Sequence, residues 1–153
     1  MMIGALLFSL NTPAWAADEV NVTTGGTMAG KPLALHGFDP VAYFVGGKPI
    51  EGTPQFAAVY EGATYYFSSE ANQKAFEAAP SKYAPQFGGF CAFGVALGKK
   101  FDGNPQVFLV RDGKLYLNLA PPIAQKFGED VPGNISKAEA NWKKIKSKAA
   151  ASL

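Results

Sequence analysis

This sequence is short of the residues that most often carry chemistry, with one cysteine and one histidine in 153 residues. A single thiol cannot close an intramolecular disulfide, which excludes a disulfide-stapled scaffold and a paired-cysteine redox motif. A single imidazole excludes the metalloprotease helix and any site built on several histidines. The net charge of +2 is too small to argue for nucleic acid as a partner. No apolar run reaches the ~20 residues needed to span a bilayer once a leader is removed. Phosphate-cradling glycine loops and nucleophilic-serine motifs are also missing. Asp102-Gly103-Asn104 has the look of a fragment of a calcium loop, but without a continuing acidic series and a terminal glutamate it reads as a turn.

What is present describes a globular protein, 48% apolar and 13% aromatic, with enough chain for one compact domain. Ile3 to Leu10 is mostly apolar and Ala14-Trp15-Ala16 offers a signal-peptidase site, so residues 1–16 are expected to be a signal peptide and Ala17 the first mature residue. No Lys or Arg precedes the apolar run, a departure from the usual leader. Export would place the protein in the periplasm, with no integral membrane segment after cleavage. Residues 17–32, rich in Thr and Gly, read as a flexible lead-in, and the domain is expected over residues 33–149. Lys137, Lys143, Lys144, Lys146 and Lys148 crowd the last stretch; with Glu139 and alanines between them they read as a solvated helix face.

Two hairpins stand out. Phe56–Tyr60 and Thr64–Phe67 flank Glu61-Gly62-Ala63, and Val107–Val110 and Lys114–Asn118 flank Arg111-Asp112-Gly113, where Asp-Gly suits a tight turn. A helix capped by Ser68 or Ser69 and stopped by Pro80 follows the first. Pro121 to Phe127 suggests a short helix after the second. Ser136-Lys137-Ala138-Glu139 has the form of a capping box, opening a C-terminal helix with Ile135, Ala138, Trp142, Ile145 and Ala149 on its apolar face. The expected fold is therefore a small single α+β domain, two antiparallel β-hairpins packed with short helices and a C-terminal amphipathic helix. No internal repeat is read beyond the two hairpin-plus-helix units, and their sequences do not match each other.

The run from Tyr65 to Phe76, followed by Pro80-Ser81-Lys82-Tyr83 and preceded by Asp39-Pro40-Val41, resembles the core of a YHS domain. His36 to Phe44, Gly88 to Ala92 and Pro132 to Ile135 extend the resemblance to exported, stand-alone YHS proteins of Gram-negative bacteria, over most of residues 33–145. The resemblance implies metal handling, since YHS domains occur in heavy-metal-transporting ATPases and beside diiron monooxygenases. It also implies cysteines at three places where this chain has Ala42, Ser68 and Asn72, so a soft-metal thiolate set of the usual kind is missing. Some exported members carry selenocysteine at the place of Cys91, which implies redox use of that position.

Cys91 lies in Gly88-Gly89-Phe90-Cys91-Ala92-Phe93-Gly94, a segment that reads as the start of a short buried helix. An unpaired cysteine in an exported protein is buried and inert, paired with another chain, or kept for reactivity. At a helix start the N–H groups favour a thiolate, while Phe90 and Phe93 could equally wall the sulfur into a core. His36 can ligate a metal, activate a thiol or hydrogen-bond a turn. The expectation is a metal-linked or thiol-based redox role with Cys91 as the redox thiol. His36, Cys91 and Asp39 are the candidate ligands for a transition metal such as copper, iron or zinc, and Tyr43, Phe90 and Phe93 are the candidate pocket. A redox or metal-delivery partner would then be needed. The alternative is a non-catalytic small-ligand or protein-interaction module in which Cys91 is structural, and a Cys91/His36 enzyme requires the two side chains within hydrogen-bond reach.

Overall fold

The structure is a computed structural model and describes residues 19–23 and 26–153. The expected signal peptide and the start of the mature chain lie outside the described residues. The elements are a short helix α1 (Ala42–Val45), the hairpin β1 (Thr53–Tyr60) and β2 (Ala63–Phe67), α2 (Glu70–Ala78) and α3 (Pro80–Tyr83). They continue with α4 (Ala92–Ala96), the hairpin β3 (Asn104–Arg111) and β4 (Lys114–Asn118), α5 (Pro121–Gly128) and the long α6 (Val131–Ile145). Single turns of 3-10 helix at Leu35–Gly37 and Gln86–Gly89 precede α1 and α4. The α+β reading from sequence holds, with two separate antiparallel two-stranded sheets.

Local chemistry accounts for most element boundaries. Glu61 and Asp112 take positive φ ahead of Gly62 and Gly113, giving both hairpins turns that match strand twist. Ser69 Oγ accepts the Asn72 amide at 3.1 Å and caps α2, as its sequence foretold. The long helix departs from expectation. It begins at Val131, five residues before the apparent capping box, because Asp130 Oδ1 accepts the Gly133 amide at 3.0 Å and Pro132 fits the first turn. It ends at Ile145, so Ala149 is outside it and exposed.

Two apolar clusters make the core. One gathers Tyr43, Tyr65, Phe67 and Phe76 with Val20, Leu115 and Leu117; the other gathers Phe87, Phe90, Val95, Tyr116, Phe127, Ala138 and Ile145. Strand β4 is their shared wall: successive side chains of a strand point to opposite faces, so Leu115 and Leu117 serve the first cluster and Tyr116 the second. Part of the lead-in is pinned to this core. Val20 is buried, the Asn21 amide donates to Gly88 O at 2.8 Å, and Val22 bridges to Ala34.

Candidate functional site

Cys91 sits where the sequence put it, at the N-terminus of the short helix α4, but its sulfur is sealed inside the protein at 0% exposure. Sγ accepts the Gly94 amide at 3.5 Å and donates to Asn118 Oδ1, also at 3.5 Å. The same Asn118 oxygen accepts the Phe93 amide at 3.1 Å. Asn118 is itself 2% exposed, so thiol, amide oxygen and helix N–H groups form a closed polar knot in an apolar surround. Sequence alone gave no signal for Asn118, which lies 27 positions away and meets Cys91 only because β4 runs beside it.

His36 does not reach this knot. Its Nε2 lies 2.8 Å from Asp102 Oδ1, a partly exposed pair that also takes a hydrogen bond from Asn21 Nδ2 at 2.6 Å. The ring belongs to a left-handed turn, with Leu35, His36 and Gly37 at φ 51°, 51° and 82°. That backbone fixes the imidazole on the surface, facing a residue of the second hairpin's lead-in.

Asp39 is wholly buried and fully engaged. Oδ1 accepts the Val41 and Ala42 amides at 2.8 and 3.3 Å, and Oδ2 accepts the Ser68 amide, the Ser68 hydroxyl and Asn72 Nδ2 at 2.9, 2.7 and 2.7 Å. Five donors satisfy a carboxylate that would otherwise be costly to desolvate. The three expected metal ligands thus have three separate sets of partners. Among the described residues no group of three or more His, Cys, Asp or Glu side chains could hold a metal ion. The expectation of a His36, Cys91 and Asp39 centre is corrected on this point.

The expected aromatic pocket is corrected too. Tyr43 is core: its hydroxyl donates to Pro105 O at 2.8 Å, its ring meets Phe108 edge-on at 4.9 Å, and burial, then the nearby Asp39 charge, push its pKa far above the phenol range. Phe90 and Phe93 pack in the second cluster. A concave site lies elsewhere, a cleft of about 230 Å³ lined in part by Tyr60 and Glu61 from the first hairpin turn, Phe87, Trp142 and Lys146 from the second half, and Glu19. Ser147 Oγ holds Glu19 Oε1 at 3.1 Å. Its lining comes from sequence-distant segments, which hid it from a reading along the chain.

Residues 41–87 match the family model of the YHS domain. The chain contains a YHS domain. YHS domains are generally associated with metal handling, copper included. Comparison with curated proteins and with solved structures gives no match. In this YHS domain, Ala42, Ser68 and Asn72, at the places where the resemblance implied cysteines, are brought together around Asp39. The position is assembled, but its donors are spent. A methyl group, a hydroxyl and an amide replace thiolates, and the hydroxyl and amide both donate to Asp39, so these residues do not fit a soft metal.

Proposed function

We propose that the protein is a non-catalytic binding module of the YHS class, exported to the periplasm, in which Cys91 is structural and the cleft beside Trp142 takes the ligand. The observation that carries this reading is the full burial of the Cys91 sulfur with its polar contacts internal, remote in partners from His36. A thiolate nucleophile or ligand needs access, and this one has none. The Ala-x-Ala leader supports export. Among the described residues no helix is long and apolar enough to cross a membrane. The cleft combines Trp142, Phe87 and Tyr60 with two carboxylates, Glu19 and Glu61, and one ammonium, Lys146. Aromatic faces with an excess of negative charge suit a small organic cation or a zwitterion with an apolar body.

Two readouts on the chain from Ala17 test this. Cys91 alkylation is expected only at the rate of unfolding and unchanged by copper(I), zinc or iron(II). Rapid native-state labelling, or protection by one of these metals, would return the function to the thiol. In that chain Trp142 is the only tryptophan, so its emission reports the cleft. Choline or a diamine is expected to shift it saturably, and Glu61→Gln to weaken the response. No response to amines, with Cys91 still unreactive, would sink the cleft assignment alone.

A further inference from the structure

The order of elements runs through twice: 3-10 turn, short helix, hairpin, helix, helix. The correspondence extends to single residues. In the first hairpin Thr53 pairs with Phe67, a bulge follows, and Ala57 pairs with Tyr66; in the second Asn104 pairs with Asn118, a bulge follows, and Phe108 pairs with Leu117. Every pairing in one hairpin maps on the other with a constant shift of 51 residues. The same shift carries the start of α2 at Glu70 to that of α5 at Pro121, and the start of α3 at Pro80 to that of α6 at Val131. The residues before those last two helices, Ala79 and Asp130, share an unusual backbone, φ −151° and ψ 65° against φ −151° and ψ 75°.

Upstream of the hairpins the shift is 52, the second unit having one residue fewer between Cys91 and Phe101 than the first has between Asp39 and Ile50. Leu35, His36 and Gly37 at φ 51°, 51° and 82° correspond to Phe87, Gly88 and Gly89 at 55°, 61° and 83°. Two or more successive left-handed residues before a helix are rare, and here the same turn occurs twice. The Asp39 amide donates to Ile50 O at 2.8 Å, and the Cys91 amide donates to Phe101 O at 2.9 Å. Identities fall where geometry demands them. Gly52 and Gly103 are both places where a Cβ would collide with neighbouring backbone, Gly62 and Gly113 both take the left-handed turn position, and Phe76 and Phe127 are both 1% exposed. Pro54 and Pro105, and Tyr65 and Tyr116, are matched as well. Elsewhere the strands diverge on both faces, Thr64, Tyr66 and Phe67 standing against Leu115, Leu117 and Asn118, which is why the units do not look alike when read side by side.

We infer that residues 93–138, outside the family match, form a second YHS-type unit, and that Cys91 is its counterpart of Asp39. Asp39 receives the amides of Val41 and Ala42; the corresponding amides, Phe93 and Gly94, go to Asn118 Oδ1 and Cys91 Sγ. One carboxylate has been replaced by a thiol and a carboxamide that divide the same two donors. Cys91 is therefore a helix-capping residue of the second unit, and the cleft lies where the units join, lined by Tyr60 and Glu61 of the first, by Phe87 and Gly88 of the left-handed turn that leads into the second, and by Trp142 of α6. The assignment of Cys91 deepens the proposed function and rests on it, whereas the repeat does not.

A crystal structure of the chain from Ala17 tests the repeat. Residues 35–83 are expected to superpose on 87–134 with bulge on bulge and one left-handed turn on the other; halves that do not superpose overturn the inference whatever the role of the cleft. Cys91→Ser and Cys91→Val test the capping residue. Serine can accept the Gly94 amide and valine cannot, so the serine variant is expected to melt several degrees above the valine variant. A valine variant equal to or above serine makes Cys91 plain core and removes its equivalence with Asp39. Amide exchange in the unmodified protein covers the case in which neither variant folds: Phe93 and Gly94 are expected to be as protected as Val41 and Ala42, and fast exchange at 93 and 94 alone contradicts the capping role.

Discussion

Asp39 shows what a single side chain does here. Its carboxylate is held by three backbone amides, a hydroxyl and a carboxamide. Removing it leaves those donors buried without an acceptor. Asp39→Ala is expected to cost about 3–5 kcal/mol, read as a large fall in the urea midpoint, and a loss under 1 kcal/mol would mean that water reaches the cage. Tyr43 supplies the pH dependence. A phenol in the unfolded chain ionises near pH 10, whereas burial, and then Asp39, hold the folded phenol well above that. Its contribution is thus fully present below about pH 10 and is lost as pH rises toward the folded value. Urea midpoints at about pH 8 and about pH 11 should fall less steeply for Tyr43→Phe than for the unmodified chain. Tyr65, raised chiefly by burial, leaves a residual slope.

At the scale of elements, α6 is fastened at its C-terminal end by a side chain from another segment. Lys100 is 6% exposed, and its Nζ donates to Lys146 O at 2.7 Å and Lys148 O at 2.6 Å while lying 5.3 Å from the Phe90 and Trp142 ring centres. An ammonium at the negative end of a helix satisfies carbonyls that have no intrahelical partner. Lys100→Met keeps the stem and removes the donors, with an expected cost of about 2–3 kcal/mol and faster amide exchange over the last turn of α6. Unchanged exchange there would show that Trp142 and Ile145 hold the helix unaided. Asn141 adds a second clasp, its Nδ2 donating to Val95 O and Ala96 O at 3.0 Å each.

For the whole molecule, the shared strand decides how the two units behave. Leu115 and Leu117 sit in the first unit's core while Tyr116 sits in the second's, and Val20 from the lead-in closes the first. The first core is incomplete without Leu115 and Leu117 of the second unit, so one cooperative transition is expected. Trp142 fluorescence and far-UV circular dichroism should give coincident urea curves; separated midpoints would show units that fold independently. The exposed His36 and Asp102 pair bridges the units but, being screened by water, adds little to this coupling.

The hairpins, the Ser69 cap, the short helix at Cys91 and the α+β class were legible in the sequence because each depends on residues within a turn or two: Asp-Gly at positive φ, a hydroxyl before a helix, period-two strands. So was the YHS resemblance, carried by contiguous motifs. The start of α6 was misplaced because two plausible caps, Asp130 and Ser136, lie six residues apart, and the Asp130 cap with Pro132 in the first turn sets the earlier start. The fate of the site residues was not local at all. His36 meets Asp102, Tyr43 meets Pro105, and Cys91 meets Asn118 across 66, 62 and 27 positions. Burial of a thiol, the spending of a carboxylate on donors from three segments, and the repeat hidden beneath diverged strand faces are set by which surfaces come together, a property that the tertiary structure alone decides.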